Sequence, residues 1–207
     1  MKAHCRYLQR GWHAVCAAIM LAALSASGGC ASSPEESLQY IDTDTAATIT
    51  RCAKTFVFAH EAPNLGVNVR DYLNLGAFQV NRMGQHDFYL WASTWSTIPQ
   101  RAESGPNLPV LMSTLTLRLD GEPLVLKRST TKLRETGTLK PVYPAPASSV
   151  VNAYYVVTQD MLHRIAGADD ISVIIGDDRA DMMRYALWSD ARAELRDFLE
   201  TSGSTAY

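Results

Sequence analysis

Histidines and neighbouring acidic residues are the side chains of this chain best suited to acid–base or metal chemistry, but their spacing matches no catalytic motif. His60 and Glu61 would begin the helical HExxH zinc motif, yet position 64 is an asparagine and a proline precedes it, which would break the helix. The sequence also has no phosphate-binding loop and no GxSxG element. We predict no catalytic residue, no metal site and no cofactor.

Binding chemistry is suggested by three aromatic residues, Tyr89, Trp91 and Trp95, which alternate along one predicted strand. Alternate residues of a strand share a face, so the three rings lie on one side of the sheet. Exposed rings of this kind can stack on sugars or hold a protein partner. Core packing is the commoner fate of large aromatic residues in a strand, so core packing is the favoured interpretation and binding is the alternative.

The strand that carries these rings belongs to the most sheet-like part of the chain. Residues 72–81 and 88–98 read as two strands joined by a turn at 82–85, with Gly76 as a possible bulge. Both faces of the second strand are apolar, which predicts a central strand covered on both sides. Asp120-Gly121 predicts a two-residue hairpin that pairs Leu117 with Leu124.

The last third of the chain supplies the helices. Residues 150–157, 171–175 and 181–188 read as strands. Outside this third, residues 45–52 could form a short helix, although their threonines disfavour it. Thr158 is a suitable N-cap for a helix over 159–166, and Ser189 for a longer terminal helix. Residues 127–149 are irregular and basic. This stretch is either a solvated loop or a surface that binds anionic lipid or a partner. We therefore predict an α+β fold: an antiparallel-dominated sheet or sandwich with two short helices in the C-terminal third.

The amino-acid composition of the chain indicates one folded domain and argues against a nucleic-acid partner. The chain has 207 residues, of which 47% are hydrophobic and 19% charged, with a formal net charge of −2. These values are typical of a globular protein rather than a disordered one. A mildly acidic chain lacks the basic surface that nucleic-acid binding requires.

The first 30 residues read as an export signal. Lys2, Arg6 and Arg10 precede an apolar run over residues 14–24, which is shorter than the roughly 20 residues that span a bilayer. A basic start, a short apolar stretch and small residues are typical of a secretory signal peptide.

The end of this leader, Gly28-Gly29-Cys30, resembles the lipobox of bacterial lipoproteins. That resemblance implies cleavage before Cys30 and a diacylglycerol on its sulfur. With Ala31 following, it also implies sorting to the outer membrane. The alternative is ordinary signal-peptide cleavage, which would leave Cys30 free to form a disulfide with Cys52.

The predicted organisation is a signal peptide over residues 1–29, a lipidated cysteine and tether over 30–36, and one α+β domain over 37–207. The predicted function is that of a membrane-anchored cell-envelope lipoprotein with a non-enzymatic binding or assembly role. It would face the periplasm from the outer membrane and hold an envelope protein or glycan. The alternative is a tethered or free periplasmic hydrolase, in which the fold assembles His60, His86 and Asp87 into a site.

Overall fold

A computed structural model describes residues 38–62, 69–98, 108–148, 150–176 and 182–203. The predicted signal peptide, Cys30 and its tether lie outside the described residues. Within them the chain forms ten strands: β1 (Leu38–Asp42), β2 (Ala47–Arg51), β3 (Phe56–Glu61), β4 (Arg70–Arg82), β5 (Gln85–Ser96), β6 (Thr114–Leu119), β7 (Glu122–Lys127), β8 (Val151–Val157), β9 (Ile171–Ile175) and β10 (Met183–Ser189). The helices are α1 (Leu108–Leu111), α2 (Gln159–Gly167) and α3 (Arg192–Gly203), with a 3₁₀ turn at Leu133–Thr136.

The strands form one antiparallel sheet in the order β7-β6-β9-β10-β3-β4-β5-β8. The long strand β4 pairs with β5 along one edge, and its other edge is shared by β3 and β2. The sheet curls into a half-barrel, and beyond β7 Thr130 forms a bridge with Tyr154 of β8. The prediction of an antiparallel-dominated sheet with helices is therefore confirmed, although the fold is richer in strand than the α+β label suggests.

Two tight turns set the register of the central hairpins. Met83 and Gly84, between β4 and β5, have φ of 53° and 85°, and Asp120 and Gly121, between β6 and β7, have φ of 51° and 89°. Positive φ at both central residues is the type I′ geometry that suits a two-residue hairpin. The predicted pairing of Leu117 with Leu124 is confirmed.

The main core lies on the face of the sheet that carries Leu73, Leu75 and Leu90, here called the helix-covered face. Helices α2 and α3 pack on it, and Leu195 and Phe198 of α3 are buried there as predicted. Thr158 caps α2 as predicted, since its hydroxyl accepts the amide of Met161. None of the described helices is long and apolar enough to cross a membrane.

Three local predictions were wrong. Residues 45–52 form a turn and β2 rather than a helix, because β-branched residues such as Thr48 and Ile49 favour the strand. Gly76 forms no bulge, since the register of β4 with β5 is unbroken. Ser189 ends β10, and it is Asp190 that accepts the amide of Arg192 at the start of α3.

Candidate functional site: the outer face of the sheet

The three predicted aromatic residues lie on the face of the sheet opposite the helices, here called the outer face. They project from β5, which lies between β4 and β8. The predicted cover on both sides holds for residues 89–94, whereas Trp95 and Ser96 are only partly buried. Tyr89 is 8% exposed and stacks on Phe78 at 5.2 Å, and Trp91 is 5% exposed. Trp95 is only half-buried. One strand therefore presents both covered and accessible rings on the same face.

Residues 131–145, here called the crossing segment, cover the ring of Trp91 and belong to the same buried cluster as Tyr89. This stretch was predicted to be an irregular loop, and it packs against the sheet with Val142 and Tyr143 both buried. The carboxylate of Asp42 holds it, accepting the amide of Leu139 at 2.8 Å and the hydroxyl of Thr138 at 2.7 Å. These hydrogen bonds lower the pKa of Asp42 to about 2.

Tyr143 fixes the crossing segment to the sheet. Its ring stacks on Trp91 at 5.0 Å, and its hydroxyl donates to the carbonyl of Ala77 at 2.5 Å. A Cβ at Gly76 would lie 2.5 Å from Cε2 of this ring, so glycine is required there by close approach. The guanidinium of Arg51 lies 5.2 Å from the same ring, within the range of a cation–π contact. Burial raises the pKa of Tyr143 well above its ordinary value.

A pocket of about 290 Å³ opens between the crossing segment and the outer face. Its lining residues are mainly aromatic or apolar, none is charged, and they come from β5, β8 and the crossing segment: Trp91, Thr131, Leu133, Pro141, Val142, Tyr143, Ala145, Asn152 and Tyr154. Burial raises the pKa of Tyr154 to about 12, so its hydroxyl is protonated at neutral pH. The volume is at the small end of the range for ligand sites.

One accessible group of the outer face, here called the open end, consists of Trp95, Tyr72, Trp188 and Arg70. Tyr72 stacks on Trp95 at 4.4 Å and meets the edge of Trp188 at 6.3 Å. The guanidinium of Arg70 lies 4.8 Å from the Trp188 ring and also pairs with Glu61 at 3.3 Å. Trp188 remains 58% exposed.

Backbone geometry sets the position of Trp188. The pairing of β10 with β3 passes from Leu187–Phe58 directly to Ser189–Val57, so Trp188 is an extra residue with no partner in β3. Such a β-bulge redirects a side chain and occurs often at functional sites.

A polar row separates the covered rings from the open end. Asn74, Ser93 and Asn152 lie side by side on β4, β5 and β8. The indole of Trp91 donates to Asn152 at 3.1 Å and that of Trp95 to Asn74 at 2.9 Å. The hydroxyl of Ser93, between them, is buried and has no hydrogen-bond partner among the described residues. The two indoles are therefore fixed by matching hydrogen bonds on either side of Ser93.

The structure does not bring together the histidines that the hydrolase alternative requires. His60 pairs opposite Asp71 and His86 opposite Asn81, which places them roughly 30 Å apart at the rise of a strand. His60 donates to the carbonyl of Arg184 and His86 contacts Gln79, each at 2.8 Å. The described residues hold no group of three or more His, Cys, Asp or Glu side chains that could bind a metal.

Cys52 lies in the main core, 1% exposed. It forms no disulfide with a described residue, and burial raises the pKa of its thiol to about 11. A protonated thiol is a poor nucleophile, so Cys52 functions here as a small apolar residue. Its proposed disulfide partner Cys30 is outside the described residues.

Several residues of this face escaped sequence reasoning. Trp188 was placed in a strand, but its bulge depends on pairing with β3, which the sequence does not show. Tyr143 belongs to the stretch that was predicted to be irregular. Asn152, Tyr154 and Val156 alternate along β8 with the buried Ala153, Tyr155 and Val157. This alternation was a usable signal that the first three residues face the side of the sheet opposite the main core.

Comparison with known proteins gives no independent indication of what this face binds. No family model, curated protein or solved structure matches the chain.

Proposed function

We propose that this protein is a lipid-anchored cell-envelope lipoprotein that holds an envelope protein partner at the open end of its outer face, in a non-enzymatic binding or assembly role. The observation that carries the proposal is the group formed by the exposed Trp188 and the half-buried Tyr72 and Trp95, with Arg70 above the Trp188 ring. Tryptophan, tyrosine and arginine are the residue types that most often dominate binding energy at protein interfaces.

The surroundings of this group suit a docking surface. Ala186, Ala59, Tyr72 and Trp95 form one row across β10, β3, β4 and β5. The two alanines have short side chains and leave space next to the aromatic rings. A partner side chain can therefore pack beside Tyr72 and Trp188. The stacking and cation–π contacts restrict these rings before any partner arrives, which lowers the entropic cost of binding.

The lipid anchor is proposed from the resemblance of residues 28–30 to a lipobox. One acyl chain gives only weak membrane attachment, whereas several chains hold a protein stably. An anchored domain would present its outer face to other envelope components at high effective concentration, which favours assembly roles. Mass spectrometry of the protein purified from membranes tests this part, with residues 30–207 plus acyl chains as the expected species.

Site-specific photo-crosslinking in living cells tests the partner. We expect a photoreactive residue at Ala186 to give a discrete adduct with an envelope protein, and Trp188→Ala in the same chain to abolish that adduct. Met83, exposed at the turn between β4 and β5, is the matched control position and should give none. An adduct that survives Trp188→Ala, or equal adducts at both positions, would contradict the proposal.

A further inference from the structure

We propose that the pocket beneath the crossing segment is a binding site for one neutral sugar ring. The pocket is separate from the open end, so this inference goes beyond the protein-binding role. It depends on the pocket's volume, on its aromatic lining and on polar groups that have unused hydrogen-bonding capacity in the described part of the chain.

The volume limits the ligand to a single ring. About 290 Å³ is slightly less than the smallest typical site for a drug-sized molecule. A space of this size admits a monosaccharide or one terminal unit of a larger glycan, provided that the rest of the chain leaves through the mouth. Ala145, an exposed lining residue, marks that side of the pocket.

The lining favours a ligand with apolar faces and polar edges. Trp91, Tyr143 and Tyr154 line the pocket with the small part of each ring that stays accessible, 5–6% of the residue, and the stack between Trp91 and Tyr143 holds two of these rings in place. Aromatic side chains combine a large apolar area with a fixed geometry, which suits the C–H face of a pyranose. Because no lining residue is charged, a charged ligand would lose its hydration without gaining an ion pair.

Three polar groups of the lining are available to ligand hydroxyls. Asn152 uses its carbonyl oxygen to accept from Trp91, which leaves both hydrogens of its amide nitrogen. The hydroxyls of Tyr154 and Thr131 form no hydrogen bond with any described residue, and Thr131 is exposed to solvent. Lining groups of this kind bind ligands that both donate and accept hydrogen bonds, as sugar hydroxyls do. A purely aromatic ligand would leave these groups without partners, which carries a desolvation cost.

Saturation-transfer NMR on the full chain tests this site. The probes are the methyl glycosides of glucose, galactose, mannose and N-acetylglucosamine at millimolar concentration, in a zwitterionic detergent without a sugar headgroup. We expect saturation transfer to at least one of them. Tyr154→Phe should weaken binding about three- to tenfold, as expected for the loss of one neutral hydrogen bond.

Two further variants make the placement falsifiable. Ala145→Phe should abolish saturation transfer by filling the mouth, and Tyr72→Phe, the same hydroxyl deletion at the open end, should leave it unchanged. Absence of transfer to every glycoside would overturn the inference, as would transfer that Tyr154→Phe and Ala145→Phe leave unaltered. Phenol serves as an additional, purely aromatic probe, and saturation transfer to phenol but to no glycoside would overturn the inference in favour of an aromatic ligand. None of these results changes the crosslink at Ala186, so the two proposals fail independently.

Discussion

Trp91 and Trp95 lie on the same face of the same strand and make matching contacts, yet they end in different environments. Each stacks on a tyrosine and donates its indole N–H to an asparagine on a neighbouring strand. Trp91 is buried and lines a pocket, whereas Trp95 is half-buried and belongs to the open end. Local contacts alone therefore do not determine the environment of either ring.

The difference lies in the origin of each tyrosine. Tyr72 is the direct cross-strand neighbour of Trp95, so that stack forms within the hairpin and leaves the outer side of the rings accessible. Tyr143 comes from the crossing segment, which brings Val142 and Leu133 with it. Covering the face converts a flat aromatic surface into a small pocket that is partly open to solvent. The same residue types can thus serve protein docking at one end and small-ligand binding at the other.

Truncation of the two tryptophans should give the largest contrast. We expect Trp91→Ala to lower the free energy of unfolding by about 3–5 kcal/mol, as buried aromatic truncations do. Trp95→Ala should cost about 1–2 kcal/mol, because less apolar area is lost from a half-buried site. Urea unfolding of both variants measures the difference, and equal losses would show that the two ends are not distinct.

A methyl group at Gly76 should disturb only the covered end, which is the part of the outer face that lies beneath the crossing segment. We expect Gly76→Ala to lower the free energy of unfolding by about 1–3 kcal/mol, since its Cβ would meet Tyr143 at 2.5 Å. Gly167→Ala is the control, because nothing lies within 4 Å of that Cβ at the end of α2. Thermal unfolding compares them. An unchanged midpoint for Gly76→Ala would contradict the tight contact with Tyr143.

Acid should loosen the covered end through Asp42. Its folded pKa of about 2 lies below the ordinary value of 3.8, so its carboxylate stabilises the folded state above about pH 4 and loses this contribution as the pH falls towards 2. Asp42→Asn should be less stable than the parent at pH 7 and should approach it at low pH. Amide exchange of Leu139 in Asp42→Asn and in the parent, measured at pH 7, 4 and 2.5, reports this difference in stability. A stability difference that stays constant over that range would contradict the assignment.

Trp188→Ala should have the smallest effect on stability. A side chain that is 58% exposed contributes little to the core, so we expect a change within about 0.5 kcal/mol. The same variant should nevertheless remove the crosslink at Ala186. Calorimetry together with crosslinking separates the two effects, and a large loss of stability would make Trp188 a packing residue rather than a docking residue.

Sequence reasoning succeeded where the determinants are local. The turn at Asp120-Gly121 and the alternation along β5 are both visible within a dozen residues, and both the hairpin register and the shared face of Trp91 and Trp95 are confirmed. The division of that face into a covered and an open end depends on distant contacts. Asp42 binds Leu139, and Tyr143 packs on Gly76, and neither pairing leaves a pattern in the sequence.

Fluorine NMR of the protein labelled with 5-fluorotryptophan tests the central claim, the two environments on β5, most directly. The four tryptophans include Trp12 of the predicted leader, and single Trp→Phe variants assign each signal. A soluble paramagnetic agent should broaden Trp188 most, Trp95 less and Trp91 least, which is the order of their exposure. Broadening of Trp91 equal to that of Trp188 would show that the crossing segment does not cover this face, and would contradict the account.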